Sequence, residues 1–159
     1  MDNLSTFPVT QVLSKAGLSA GTTTTYSTTA TVTYAIRSKL YTKTAVTNGA
    51  TPTADATTGL AFVPVPVNSG SVFVFGFDAS GNIKVSQGQV QALDVSGAFV
   101  TAPQLPVVPD TVAPFGYLVV KVGSTGSTWT FGSSNLSGAT GVTYAFQDVT
   151  ALPDRPQIA

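Results

Sequence analysis

Cysteine, histidine and glutamate are absent from this sequence, and charge of either sign is sparse. The missing cysteine excludes disulfides, thiolate zinc sites and cysteine nucleophiles. Without histidine or glutamate the usual proton-transfer pairs are unavailable. Aspartate, lysine, tyrosine, serine and threonine are left to carry any acid–base or covalent step. Seven acidic residues balance seven basic ones, and no basic run supplies the counterion release that drives nucleic-acid binding. Nucleic acid is not an expected partner. No run of about 18 apolar residues occurs, and the first residues have neither a basic nor an apolar region. A signal peptide and a membrane span are therefore not expected.

Apolar residues make up 43% of the 159-residue chain and charged residues only 9%, where an ordinary soluble protein has about 25%. Serine and threonine must cover the surface instead, in runs such as Thr22–Thr25 and Ser133-Ser134. Such a surface resists association less well than a charged one, as suits a subunit of a large assembly. The length suits one domain with a real core.

Strand signals dominate. Val32, Tyr34 and Ile36 alternate with Thr31, Thr33 and Ala35, the period of a half-buried strand; a turn near Arg37-Ser38-Lys39 sends Leu40 to Thr44 back. Asn48 to Gly59 has turn chemistry throughout and reads as a surface loop. Leu60 to Val67 is apolar but interrupted by Pro64 and Pro66, which cannot donate to a ladder, so it belongs at an edge or in a subunit contact. Ser71 to Asp78 is apolar on both faces, as befits a strand buried between two layers. Asp78 to Val85 reads as the turn and return of a hairpin, with Gly81 at positive φ. Residues 101–116 hold four prolines and read as an extended crossing segment. Tyr117 to Val122, Thr128 to Phe131, and the alternation of Val142, Tyr144 and Phe146 complete the set of strands.

The fold class expected is all-β: a single-domain antiparallel β-sandwich or barrel, residues 22–149, with an extended N-terminal arm over 1–21 and a C-terminal arm over 150–159. Pro8 opens a short helix through Val9, Val12 and Leu13, closed by Gly17, with a strand as the rival reading. Pro153 and Pro156 exclude helix interior or central strand from the tail.

No catalytic, cofactor-binding or metal-ligating set emerges. Asp78, Asp94, Asp110, Asp148 and Asp154 each sit beside a turn or strand end, where local backbone bonding is the expected role. Asp78 to Asn82 lacks the further acidic ligands of a calcium loop. Gly123 to Gly126 lacks both the glycine fingerprint of a dinucleotide site and the lysine of a P-loop. Trp129, with Tyr26, Tyr41, Tyr117 and Tyr144, is either core or a stacking platform for sugar rings.

Four segments carry a likeness: Thr33 to Ile36, the hairpin Phe77 to Gly81, the stretch Val108 to Leu118, and the tail Leu152 to Gln157. In these the chain resembles small virion structural proteins of tailed bacteriophages, most of all head decoration (cement) proteins. That resemblance implies a β body, often a homotrimer, that binds the major capsid protein on the capsid exterior after synthesis in the host cytoplasm. It also implies arms that cross onto neighbouring subunits, while the missing residue types already argue for no enzymatic activity and no cofactor. The arm anchors would be Phe7, Val9, Val12 and Leu13 at one end and Leu152, Pro153, Arg155 and Pro156 at the other. The alternative is a fibre, baseplate or host-recognition module that binds a cell-surface glycan through Trp129.

Overall fold

The computed structural model describes residues 8–157. Its strands in chain order are β1 (Gln11–Val12), β2 (Leu18–Ala20), β3 (Tyr26–Thr28), β4 (Val32–Ile36), β5 (Lys39–Lys43), β6 (Ser69–Phe77), β7 (Ile83–Gln87), β8 (Gln91–Ala92), β9 (Ala113–Val122) and β10 (Val142–Asp148). No helix occurs among the described residues. The larger sheet runs β10-β9-β6-β7, with β8 beside the start of β6; β1-β4-β5 form a second sheet and β2-β3 a third, and every strand pairing is antiparallel. The all-β expectation holds, as antiparallel sheets packed together.

Both faces of the larger sheet are apolar because β6 and β9 supply apolar residues at odd and even positions alike. On the inner face, Phe73, Phe75 and Phe77 of β6 meet Val12, Tyr34 and Ile36 of the second sheet and Leu18 and Tyr26 of the third in one core. On the outer face, Val72, Val74, Tyr117 and Val119 are covered by Phe99, Leu105, Val108 and Leu152. Burying each large side chain contributes about 1.5–3 kcal/mol, so the two central strands anchor the fold.

One irregularity sets the phase of β9. The β6 register steps from Phe75↔Gly116 to Gly76↔Pro114, which leaves Phe115 as an extra residue. Before the step Ala113 and Phe115 face the inner core; after it Leu118, Val120 and Val122 do. A one-residue bulge reverses the inward set. It also lets Pro114, which has no N–H to offer, sit within the strand. The sheet therefore begins at Ala113, earlier than Tyr117, and the crossing segment ends there.

Three further expectations are corrected. The helix from Pro8 to Gly17 does not form: Gln11 and Val12 pair with Ala35 and Tyr34 instead. The described part of the N-terminal arm thus contributes β1 and β2 to the body. The helical spacing of Val9, Val12 and Leu13 is not used, since Val12 is buried while Val9 and Leu13 are exposed. Thr128 to Phe131 is not a strand but a single bridge between Trp129 and Val65. The C-terminal arm, as far as Gln157, folds back on its own domain: Leu152 packs on the outer face, and the Gln157 N–H donates to the Tyr117 hydroxyl at 2.7 Å.

Candidate interaction surface

Between Ala56 and Phe77 the sequence has no ionisable side chain, and the structure turns part of this stretch into an exposed ledge. Pro64 and Pro66 hold the chain extended. Phe62 and Val65 point inward and are buried, whereas Leu60 and Val63 are 70% and 58% exposed. The ring of Phe62 packs edge-on against Phe73 and Phe131, so the outward residues stand on a rigid base.

Hydrogen bonds fasten the ledge at three points. The Val65 N–H donates to the Trp129 carbonyl at 2.7 Å, and the Trp129 N–H returns to the Val65 carbonyl at 2.9 Å. The side-chain amide of Gln87 acts as a strand partner for Val63: Oε1 accepts from the Val63 N–H at 2.7 Å and Nε2 donates to the Val63 carbonyl at 2.8 Å. Asp55, which is buried, anchors the preceding loop. Its Oδ1 accepts the N–H groups of Thr57 and Thr58 at 2.7 and 2.9 Å, and its Oδ2 accepts that of Gln87 at 2.6 Å.

A cleft of about 1120 Å³ opens where the β4–β5 and β6–β7 hairpins meet, lined by Arg37, Lys39, Tyr41, Asp55, Asp78 and Lys84 among others. The hairpin tip Arg37-Ser38 has φ of 49° and 65°, the primed turn that matches strand twist. Arg37 pairs with Asp110 at 2.8 Å. Tyr41 stacks on Tyr34, whose hydroxyl pKa is raised by burial and then by the charge of Asp78.

Three other carboxylates serve the backbone. Asp78 Oδ1 accepts the N–H groups of Ser80 and Asn82. Asp94 Oδ1 accepts from the Ser96 hydroxyl and the Ala98 N–H; these bonds, the hydroxyl first, hold its pKa low. Asp148 Oδ1 accepts the Leu18 N–H, tying the end of β10 to β2. Asp154 is exposed.

Trp129 is 1% exposed. Its ring lies edge-on to Phe73, Phe131 and Tyr144, and its indole N–H donates to the Asn135 carbonyl at 2.8 Å. It presents no open face to a sugar ring, which corrects the platform reading.

The structure divides the arm anchors. Phe7 lies outside the described residues. Val9 and Leu13 are exposed, whereas Val12 belongs to the core. Leu152 and Pro153 are half-buried, Pro156 is buried and Arg155 is exposed. Val12 and Pro156 are thus consumed by the domain itself and are not open to a neighbour. Val95, which the sequence suggests as a continuation of the strand after the Asp78 hairpin, lies outside any strand and is exposed, as are Val100 and Val107.

No protein-family model matches this chain, nor does any curated protein or solved structure.

Proposed function

We propose that this protein is a virion structural subunit, a decoration protein that binds the major capsid protein on the outside of a tailed-bacteriophage head and reinforces the lattice. It acts by contact and not by catalysis. The observation that carries this reading is the ledge: Leu60 and Val63 are exposed on a segment without charge. Exposed apolar side chains on an uncharged segment resist association less than a charged surface does. Because Phe62, Val65, Gln87 and Asp55 already hold the segment in place, docking it costs little ordering entropy.

The low charge of the whole chain agrees with this reading. Specificity then rests on shape and repetition over many identical lattice sites, where modest contacts suffice. Co-sedimentation with expanded heads tests the proposal, using the ledge variant L60D/V63D as the control.

A further inference from the structure

We propose that a second copy of this chain adds to the free edge of β10, so that two larger sheets become one continuous sheet about a twofold axis through Ala145. The inference stands apart from what the ledge binds.

The direction of the β10 hydrogen bonds follows from two contacts. Gly123 N–H donates to the Gly141 carbonyl at 2.8 Å and Val149 N–H to the Phe115 carbonyl at 3.0 Å. In an antiparallel pair only alternate residues bond the neighbour, so odd-numbered residues of β10 face β9. The N–H and C=O groups of Tyr144 and Phe146 therefore point away from the sheet. They have no hydrogen-bond partner among the described residues.

Other long edges are guarded. β5 carries Lys39 and Lys43 on the inward side beside Tyr41, an arrangement that discourages further pairing. β7 is sealed by the Ala56 N–H on the Val85 carbonyl and by Asp55 and Gln87 as described. β10 has no lysine, proline or bulge. Its one charged residue, Asp148, already accepts the Leu18 N–H.

Self-pairing suits this sequence. About an axis through Ala145, Tyr144 lies opposite Phe146 of the second copy and exchanges both backbone bonds with it, and the reverse pair does the same. These half-buried aromatics on the inner face become cross-strand pairs, a favourable combination. On the other face the exposed Thr143 meets Gln147 of the second copy, a neutral hydrogen-bonding pair. The two Asp148 side chains lie at opposite ends, each across from Val142, so no like charges meet. A twofold pairing also closes the edge and limits the assembly to two copies.

Sedimentation velocity of the full chain over a concentration series tests this. A reversible dimer is expected. T143K/Q147K sets like charges across both exposed pairs and weakens the dimer about tenfold, whereas T143K/Q147E makes those pairs opposite in charge and restores it. Both positions are exposed, so the melting temperatures stay close to that of the parent. In amide exchange, Tyr144 and Phe146 of the unsubstituted chain gain protection as concentration rises. A monomer at every concentration, a trimer, a dimer unmoved by T143K/Q147K, or exchange at Tyr144 and Phe146 that ignores concentration overturns the proposal.

Discussion

The carboxylate of Asp55 reaches the backbone N–H of Gln87 at 2.6 Å, joining the long loop after β5 to the last residue of β7. The same side chain also holds Thr57 and Thr58. Asp55→Ala leaves these donors without their acceptor and costs about 2–4 kcal/mol. Urea denaturation measures the loss; a change below about 1 kcal/mol means that water replaces the carboxylate.

The tail is held by Tyr117, whose hydroxyl is buried under Gln157. Tyr117→Phe removes that acceptor and costs about 1 kcal/mol. Its clearer effect is local: limited proteolysis trims residues after Leu152 faster than in the parent. Equal trimming rates mean that Leu152 and Pro156 hold the tail alone.

Gly116 occupies the bulge of β9 because nothing larger fits. A Cβ there stands 2.9 Å from the Gln147 carbonyl oxygen and 2.9 Å from Leu18 Cδ2. Gly116→Ala forces β10 or β2 to shift and lowers stability by about 1–3 kcal/mol. The parent melting temperature retained in this variant contradicts the close packing of β2 on the sheet.

Burial raises the Tyr26 hydroxyl pKa to about 12. The unfolded chain loses this proton near pH 10, so the unfolded state binds fewer protons than the folded one between these values. Stability is then fully present below about pH 10 and falls as pH rises towards about 12. Tyr26→Phe removes part of that decline, which melting curves between those limits measure. An identical decline in the variant assigns the alkaline loss to other groups, such as Tyr34 and Tyr144, whose pKa values burial also raises.

Much of the sheet was legible because its strands alternate or run apolar on both faces. Val32 to Ile36 turns through Arg37-Ser38 into its partner, and Asp78 to Gly81 forms the expected turn. The bulge was not legible: Phe115-Gly116-Tyr117 has no composition that tells one phase from the other, and only the register against Phe75 and Gly76 decides it. Residues 8–20 misled because Val9, Val12 and Leu13 have helical spacing, while pairing with Tyr34 and Ala35, far along the chain, wins. Pro153 and Pro156 correctly excluded regular structure from the tail, yet exclusion does not say where an extended segment lies; the apolar outer face of β6 and β9 does. That Leu60 to Val67 is not a central strand was legible from its prolines. Its division into buried Phe62 and Val65 and exposed Leu60 and Val63 depends on the bridge to Trp129, which no local pattern announces.

Co-sedimentation of the purified protein with expanded, DNA-free phage heads probes the proposed role most directly. The unsubstituted protein is expected to pellet with the heads and saturate at a fixed ratio to the capsid subunit, while L60D/V63D, equally folded by its melting curve, stays in the supernatant. Failure of the unsubstituted protein to pellet contradicts the decoration role, and equal pelleting of the variant contradicts the assignment of the ledge as its contact surface.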